Sequence, residues 1–138
     1  MGRKTEYNEE IAETICDLIA TSSKGLNTIC REAENLPSAS TVYKWLSEQK
    51  EFSERYARAR EMQADLMADE ILEISDDTSK DTYYTDSGAH ANSEWISRSR
   101  LRVDSRKWLM SKLSPKKYGD KLDLTSKDEK LTIKIVRE

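Results

Sequence analysis

Apolar residues recur at helical spacing through the first fifty positions, in three short runs separated by polar breaks. The first run covers about residues 8–21, and Asn8 is a suitable N-cap ahead of two acidic residues. The second covers 26–33 and is stopped by Pro37. The third follows Ser38 and extends to about residue 49. Helices of these lengths, joined by short connections, predict a helix-turn-helix unit.

Two longer helices are predicted in the middle of the chain, over roughly 51–76 and 93–113. The second carries large apolar residues on more than one side, which is typical of a helix that is buried on several faces. A lone pair of helices cannot cover that surface, so we predict that copies of the chain assemble through it. The residues expected at this contact are Phe52, Tyr56, Leu66, Ile71, Trp95, Leu101, Val103 and Trp108.

The remaining segments have other patterns. Residues 77–92 are polar, contain Gly88 and show no apolar period, so we predict a loop there. Residues 131–136 alternate and are β-branched, which predicts a strand, and 122–124 are a candidate for a second one. Because a single strand or hairpin is not stable alone, we expect this tail to pair with its own copies in a symmetric oligomer.

The expected fold is therefore mainly α, in three parts. An N-terminal helix-turn-helix domain is predicted at 1–50, a long helical hairpin for oligomerisation at 51–113, and a short β-strand tail at 114–138. Only four glycines and two prolines occur, which favours long helices. No segment approaches the roughly 20 apolar residues of a membrane span, and the acidic first helix is unlike a signal core, so we expect a cytosolic protein without a membrane partner.

Charge is distributed unevenly along the chain. The net charge of −3 divides into −2 for residues 1–50, −8 for 51–97 and +7 for 98–138. An acidic middle and a basic end can attract each other within a chain or between neighbours. The overall field does not favour DNA, so any contact with DNA must come from local patches.

The third helix carries the first such patch. Its exposed candidates are small hydroxyls and one lysine, which suit phosphate contact better than base reading. No arginine on this helix could make a bidentate contact to guanine. The alternative is a three-helix packing module with no ligand. The residues predicted to contact DNA are Ser40, Thr41, Lys44 and Ser47, with Arg3 and Lys4 as an N-terminal arm.

The second patch is a run of nine basic side chains between positions 98 and 121. It could form another nucleic-acid surface, or it could pair with the acids of the preceding helix across an antiparallel hairpin. The pairing interpretation is favoured because the hairpin brings the two charge runs together. The acids concerned are Glu61, Asp65, Asp69, Glu70 and Glu73.

Catalytic chemistry is not indicated. Closely spaced carboxylates on a helix are usually a solvated face, and without a nearby histidine they do not predict a metal-dependent nuclease. His90 is the sole histidine, so a Ser/His or Cys/His set is not expected. The phosphate-binding loop of ATPases is absent from the sequence, and neither a cofactor nor a metal is predicted. Cys16 and Cys30 lie among apolar residues and are expected to be reduced thiols.

Two blocks of sequence resemble one known family. The first is Ser-Thr-Val-Tyr-Lys-Trp-Leu at 40–46, followed by Phe52 and Tyr-Ala-Arg-Ala at 56–59. The second is Arg-Leu-Arg-Val-Asp-Ser-Arg-Lys-Trp at 100–108, followed by Pro-Lys-Lys-Tyr-Gly-Asp-Lys at 115–121. In order and spacing the two blocks are similar to bacteriophage terminase small subunits, and with the flanking helices the resemblance covers roughly residues 6–121.

The resemblance implies a DNA-packaging protein with no catalysis of its own, in the cytoplasm of the phage host. Family members carry helix-turn-helix domains on a ring of helical hairpins, which a C-terminal β region closes with a small intersubunit barrel. The ring binds double-stranded viral DNA at the packaging start site and regulates the terminase large subunit, which holds the ATPase and nuclease. By position, Lys44 and its neighbours would face DNA, and the second block would lie in the oligomerisation core.

Two other functions remain open from the sequence. A transcriptional regulator with a helical dimerisation domain would share the first three helices, and copy number separates it from a ring. An enzyme such as a nuclease would need metal-dependent cleavage that disappears on mutation of Asp65, Asp69 and Glu73. The segment 78–92 is longer than the family pattern suggests, and its Tyr83 and Tyr84 could stack on bases or a partner or simply anchor the loop.

Overall fold

The computed structural model describes residues 6–120 and the backbone of 122–125 and 132–135. This part of the chain is mainly helical, with two small antiparallel sheets. The helices are α1 (Glu9–Ala20), α2 (Leu26–Glu32), α3 (Ala39–Glu48), α4 (Lys50–Asp76), α5 (Ser93–Leu113) and α6 (Pro115–Tyr118). The strands are β1 (Thr82–Thr85), β2 (Gly88–Ala91), β3 (Leu122–Thr125) and β4 (Thr132–Ile135).

Helix α1 begins where the sequence predicts. The Asn8 side chain accepts hydrogen bonds from the backbone N–H of Glu10 at 2.9 Å and of Ile11 at 3.2 Å. These bonds satisfy two donors that have no partner inside the helix, and the acidic first turn matches the positive end of the helix dipole. The buried face carries Ile15 and Ile19, so the predicted apolar period is confirmed.

The N-terminal core is built around aromatic rings. The Tyr7 and Trp45 ring centroids lie 5.3 Å apart at 83°, and those of Trp45 and Phe52 lie 6.5 Å apart at 72°. Edge-to-face pairs of this kind add to the roughly 1.5–3 kcal/mol that burial of one large apolar side chain contributes. Because Phe52 and Ala59 belong to α4, this core extends past residue 50, where the first domain was predicted to end.

Helices α4 and α5 form the predicted long hairpin, and α4 alone is about 40 Å long at about 1.5 Å per residue. Its core is thin: the buried members are Ala64, Met67 and Met110. Met110 is the one buried residue among the 21 of α5. Two long helices joined by so little buried surface leave much of each helix facing outward.

The connection between α4 and α5 corrects the predicted loop. Strands β1 and β2 pair with Tyr83 opposite His90 and Thr85 opposite Gly88, and the Tyr83 and His90 rings stack at 5.3 Å. Gly88 adopts a φ of 116°, which is open to glycine and strained for other residues. The prediction was wrong because this hairpin is almost entirely exposed, so no buried face imposes an apolar alternation on its sequence.

The C-terminal part was predicted partly correctly. Strands β3 and β4 confirm the two expected strands, with Leu122 opposite Ile135. They pair with each other within the chain, and the expected pairing of the tail with its own copies stays a prediction. The short helix α6 was not predicted, and it turns the chain at Gly119, where a Cβ would collide with the Pro115 backbone.

Candidate DNA-binding helix and assembly surface

The start of α3 presents a cluster of hydroxyl groups. Ser38 precedes the helix, but its side chain makes no capping bond to the backbone. Its Oγ lies 3.0 Å from the Ser40 Oγ and 3.2 Å from the Thr41 Oγ1. The first-turn N–H groups of α3 and these hydroxyls therefore remain on one polar end of the helix, an arrangement that suits an anionic group.

One face of α3 is exposed along its whole length. Ser40, Tyr43, Lys44 and Ser47 share this face because they are three or four residues apart, and Val42 and Trp45 point into the core. Lys44 Nζ lies 4.0 Å from the Glu48 carboxylate, and both side chains are 53% exposed. Such a contact is weak, so the lysine is available to another partner.

Tyr43 was missed by sequence reasoning, although the signal was present. Its ring is 55% exposed between Ser40 and Ser47 on the same face. The apolar period of Val42 and Trp45 leaves position 43 outside the core, so an aromatic residue there lies on the surface. Arg3 and Lys4, the predicted N-terminal arm, lie outside the described residues.

The residues predicted at subunit contacts fall into three groups. Phe52 is completely buried in the N-terminal core, so it has no surface for another chain and is removed from the candidate contact. Partly buried positions within one chain are Tyr56, which packs on that core, and Leu66, Ile71, Trp95 and Val103 on the hairpin. Leu101 and Trp108 are 54% and 65% exposed, so among the predicted contact residues these two leave the most of their apolar side chains uncovered.

Two further apolar side chains were missed on α4. Met62 and Leu72 are 58% and 62% exposed. They lie on one stripe of steps of three and four residues, which we call the α4 stripe: Met62, Asp65, Asp69, Leu72 and Asp76. A corresponding α5 stripe consists of Arg98, Leu101, Trp108 and Lys112. One stripe is acidic and apolar, and the other is basic and apolar.

The predicted pairing between the basic run and the acids of α4 is confirmed at two places. Arg106 Nε donates to Glu70 at 2.8 Å, with both side chains about a quarter exposed. Burial raises the pKa of Glu70, but hydrogen bonds from Arg106 and Ser23 outweigh it and hold that pKa below its ordinary value. Lys117 Nζ and the Tyr118 hydroxyl both donate to Asp65, at 2.7 Å and 2.6 Å.

The Asp65 contacts fix the start of the C-terminal tail against α4. Hydrogen bonds from Lys117 and Tyr118 lower the pKa of Asp65, and the same bonds raise the pKa of both donors. Unlike Arg106 and Lys117, the basic residues Arg98 and Lys112 make no ion pair within the described part of the chain. The Lys112 ammonium instead lies 5.7 Å from the centroid of the Trp108 ring.

Other chemistry is sparse in this part of the chain. Among the described residues, no group of three or more His, Cys, Asp or Glu side chains is arranged to hold a metal ion. Cys16 and Cys30 are free and partly buried, and burial raises the pKa of both thiols. None of the helices in the described ranges combines the length and the apolar composition that crossing a membrane requires.

Comparison with known proteins identifies the family. Residues 7–125 match the model described as bacteriophage Sf6, terminase small subunit-like. The chain belongs to the Sf6 terminase small subunit-like family. No curated protein sequence matches it significantly. The predicted resemblance to terminase small subunits is thereby confirmed, and membership of this family supports a role in phage DNA packaging.

Solved structures of the terminase small subunit gp1 of the bacterial virus Sf6 share the fold of this family member. One singly substituted form has a TM-score of 0.69 and 34% identity, and the match covers 89% of this chain and 91% of that chain. A second substituted form has a TM-score of 0.68 and 32% identity, with 96% and 93% covered. The likeness therefore extends over nearly the whole terminase small subunit.

Proposed function

We propose that this terminase small subunit binds viral DNA at the packaging initiation site as a ring oligomer, and that it regulates the ATPase and nuclease of the large subunit without catalysis of its own. It acts in the cytoplasm of the phage host. The observation that carries the assembly is the pair of complementary stripes on α4 and α5, each of which keeps large apolar side chains in water in a single chain. The α3 face then supplies the DNA contact on every copy.

The ring is formed by the α4 stripe of one chain packing on the α5 stripe of the next. This contact joins two different surfaces, so it repeats from one chain to the next, and it forms a ring when the rotation between neighbours closes. Both stripes combine apolar and charged positions, and the charges are acidic on the α4 stripe and basic on the α5 stripe, although exposed Asp104 lies between Leu101 and Trp108. Burial of Leu72, Leu101 and Trp108 would contribute roughly 1.5–3 kcal/mol for each side chain that is fully covered.

The relative height of the residues supports this pairing. Within one chain Arg106 lies opposite Glu70, and the helices are antiparallel. Six residues further along α4 is Asp76, and six residues back along α5 is Arg100, so Arg98 lies close to the level of Asp76. A neighbour in the same orientation and without axial shift would place opposite charges together at that end of the seam.

DNA contact on α3 serves positioning. Ser40, Thr41, Lys44 and Ser47 suit phosphate oxygens, and Tyr43 adds an exposed ring beside them. Arg3 and Lys4 are proposed as an arm on the DNA backbone. Since residues 1–50 carry a net charge of −2, affinity per copy is weak, and several modules on one ring raise the effective affinity.

The tail is proposed as the closure of the ring. Lys117 and Tyr118 hold the start of the tail on Asp65 of α4. The β3–β4 hairpin of every chain would therefore begin at the same level of its α4–α5 hairpin. Hairpins from successive chains would pair at their edges and form the intersubunit barrel. This barrel is the proposed surface for the large subunit.

Native mass spectrometry of the full chain tests the assembly directly. We expect one closed species with more than two copies at micromolar concentration, and loss of that species in Trp108→Glu. Tyr84→Glu is the matched control, because Tyr84 is also exposed, at 79%, but lies on β1 and belongs to neither stripe. A monomeric wild type would contradict the ring, and a dimer would favour a transcriptional regulator.

A further inference from the structure

Gln63 lies between the two hydrophobic cores of the molecule. The N-terminal core ends on α4 at Ala59, and the core of the α4–α5 hairpin begins at Ala64. Gln63 is completely buried at this junction and is the one buried polar side chain among the described residues. A buried amide is costly unless its donors and acceptor are satisfied, so its partners reveal its role.

All of its polar atoms are engaged. The Gln63 Nε2 donates to the backbone carbonyls of Ser22 at 2.6 Å and of Lys24 at 3.0 Å. Its Oε1 accepts from the Arg60 guanidinium at 2.6 Å, and Arg60 also donates to the Tyr56 hydroxyl at 2.7 Å. One side chain of α4 therefore holds two carbonyls of the turn that connects α1 to α2.

A second contact ties the same turn to the hairpin. Glu70 lies two turns further along α4 and receives Arg106 of α5 at 2.8 Å. Ser23, in the α1–α2 turn, lies close enough to this carboxylate to lower its pKa. The turn is thus linked through Glu70 to α5 as well as through Gln63 to α4.

We propose that Gln63 is a positioning residue, which clamps the α1–α2 turn to α4 so that α3 is presented to DNA in one fixed orientation. The Glu70–Arg106 pair extends this clamp to α5, so the packing of the hairpin determines how the N-terminal helices are held. The role in DNA presentation rests on the proposed function of α3. The clamp itself is a property of the chain and can be measured without DNA.

Amide hydrogen exchange tests the clamp. Gln63→Met keeps the size and helix propensity of the residue but leaves the Ser22 and Lys24 carbonyls without a donor. We expect amides of α2 to exchange about tenfold faster in this variant, because loss of the two hydrogen bonds to the turn lowers the free energy of local opening. Gln63→Glu removes the donor at constant shape and retains an acceptor for Arg60, and we expect it to behave in the same way.

A variant that destabilises α4 without removing a contact to the turn provides the control. Ala57→Gly lies on an exposed part of α4 and destabilises the helix by backbone entropy without touching the turn. We expect α2 exchange in Ala57→Gly to stay within about threefold of wild type. Equal exchange in Gln63→Met and Ala57→Gly would overturn the clamp, and so would wild-type exchange in Gln63→Glu, which would reduce Gln63 to an anchor for Arg60.

Orientation is measured by spin labels at Ser47 of α3 and Ser105 of α5, in a chain carrying Cys16→Ala and Cys30→Ala and diluted with unlabelled chains. We expect a single narrow distance distribution that broadens in Gln63→Met but not in Ala57→Gly. In an intact ring, DNA affinity should fall at least fivefold in Gln63→Met alone. A wild type without DNA binding contradicts the proposed function of α3, while an unchanged distance distribution in Gln63→Met contradicts the clamp.

Discussion

Phe52 lies on the same apolar pattern of α4 as Leu66 and Ile71, but its ring is enclosed by Tyr7, Trp45 and Tyr56 of its own chain. The pattern along a helix shows which side is apolar and not which neighbour covers it. Since the first turns of α4 complete the N-terminal core, the same apolar pattern packs on that core at its start and in the α4–α5 core further along. The structure that covers the apolar side therefore changes along one continuous helix.

Phe52→Ala should destabilise the N-terminal core severely. Truncation of a fully buried phenylalanine costs about 3–5 kcal/mol through lost burial and the cavity left behind. Chemical denaturation followed by tryptophan fluorescence would measure this change at the Trp45 site. Tyr84→Ala, on the exposed β1 strand, should change the free energy of unfolding by less than about 0.5 kcal/mol. A Phe52→Ala protein with wild-type stability and a broken oligomer would return this residue to the subunit contact.

Glu70 predicts an acid dependence of stability. Its pKa in the folded chain lies below the ordinary value of 4.5, so the unfolded chain takes up the proton first as pH falls. The stabilising contribution is complete above the unfolded pKa and is lost as pH falls through the folded one. Glu70→Gln should therefore be less stable than wild type at pH 7, and the difference should shrink below about pH 4.5.

Urea denaturation over a pH series would show this convergence. Glu73→Gln is the matched control, since Glu73 is exposed on the same helix and forms no ion pair within the described residues. A constant gap between Glu70→Gln and wild type from pH 7 to pH 3 would mean that the Arg106 pair does not contribute through the charge of Glu70.

At the scale of single elements, α3 combines a buried and an exposed face with little ambiguity. Val42 and Trp45 fix its orientation on the core, so Ser40, Lys44 and Ser47 project together. Helix α5 is the opposite case, because its large residues surround the axis and its orientation is not fixed by periodicity. Its contact with α4 is instead defined by Met110 and by the Arg106–Glu70 pair.

Lys44→Glu should weaken DNA binding by the assembled protein. Loss of one phosphate contact per copy lowers affinity on DNA of any sequence and reduces the salt dependence by about one unit for each copy in contact. Lys50→Glu is the matched control, because Lys50 begins α4, off the α3 face, and its side chain is 89% exposed. Fluorescence anisotropy over a salt series distinguishes them, and equal losses in the two variants would indicate a non-specific effect of charge.

At the scale of the whole molecule, the two stripes are the basis of the proposed ring. The α4–α5 core buries few side chains, while Met62, Leu72, Leu101 and Trp108 stay in water. In a ring, the acidic excess of residues 51–97 and the basic excess of 98–138 would offset each other between neighbouring chains. The charge asymmetry along the sequence would then set the pairing rule: the α4 stripe of one chain packs on the α5 stripe of the next.

A charge exchange tests this rule. Asp76→Arg and Arg98→Asp should each weaken assembly, because each places like charges together in the proposed seam. The double variant should restore the wild-type copy number, since the attraction is re-formed with reversed sign. Sedimentation velocity of the three variants measures this, and a double variant as impaired as the sum of the single ones would exclude the Asp76–Arg98 contact.

The sequence by itself determined the five longest helices, the N-cap at Asn8 and the strands of the tail, because each depends on local periodicity and backbone chemistry. The family could also be inferred from the sequence, since the resemblance rests on blocks of consecutive residues. Only the tertiary structure decided that Phe52 is internal, that β1 and β2 form a hairpin, and that Gln63 joins the α1–α2 turn to α4. Those features depend on contacts between residues that are distant in the chain, or on segments without a buried face. In both cases the local sequence pattern does not show which residues pack together.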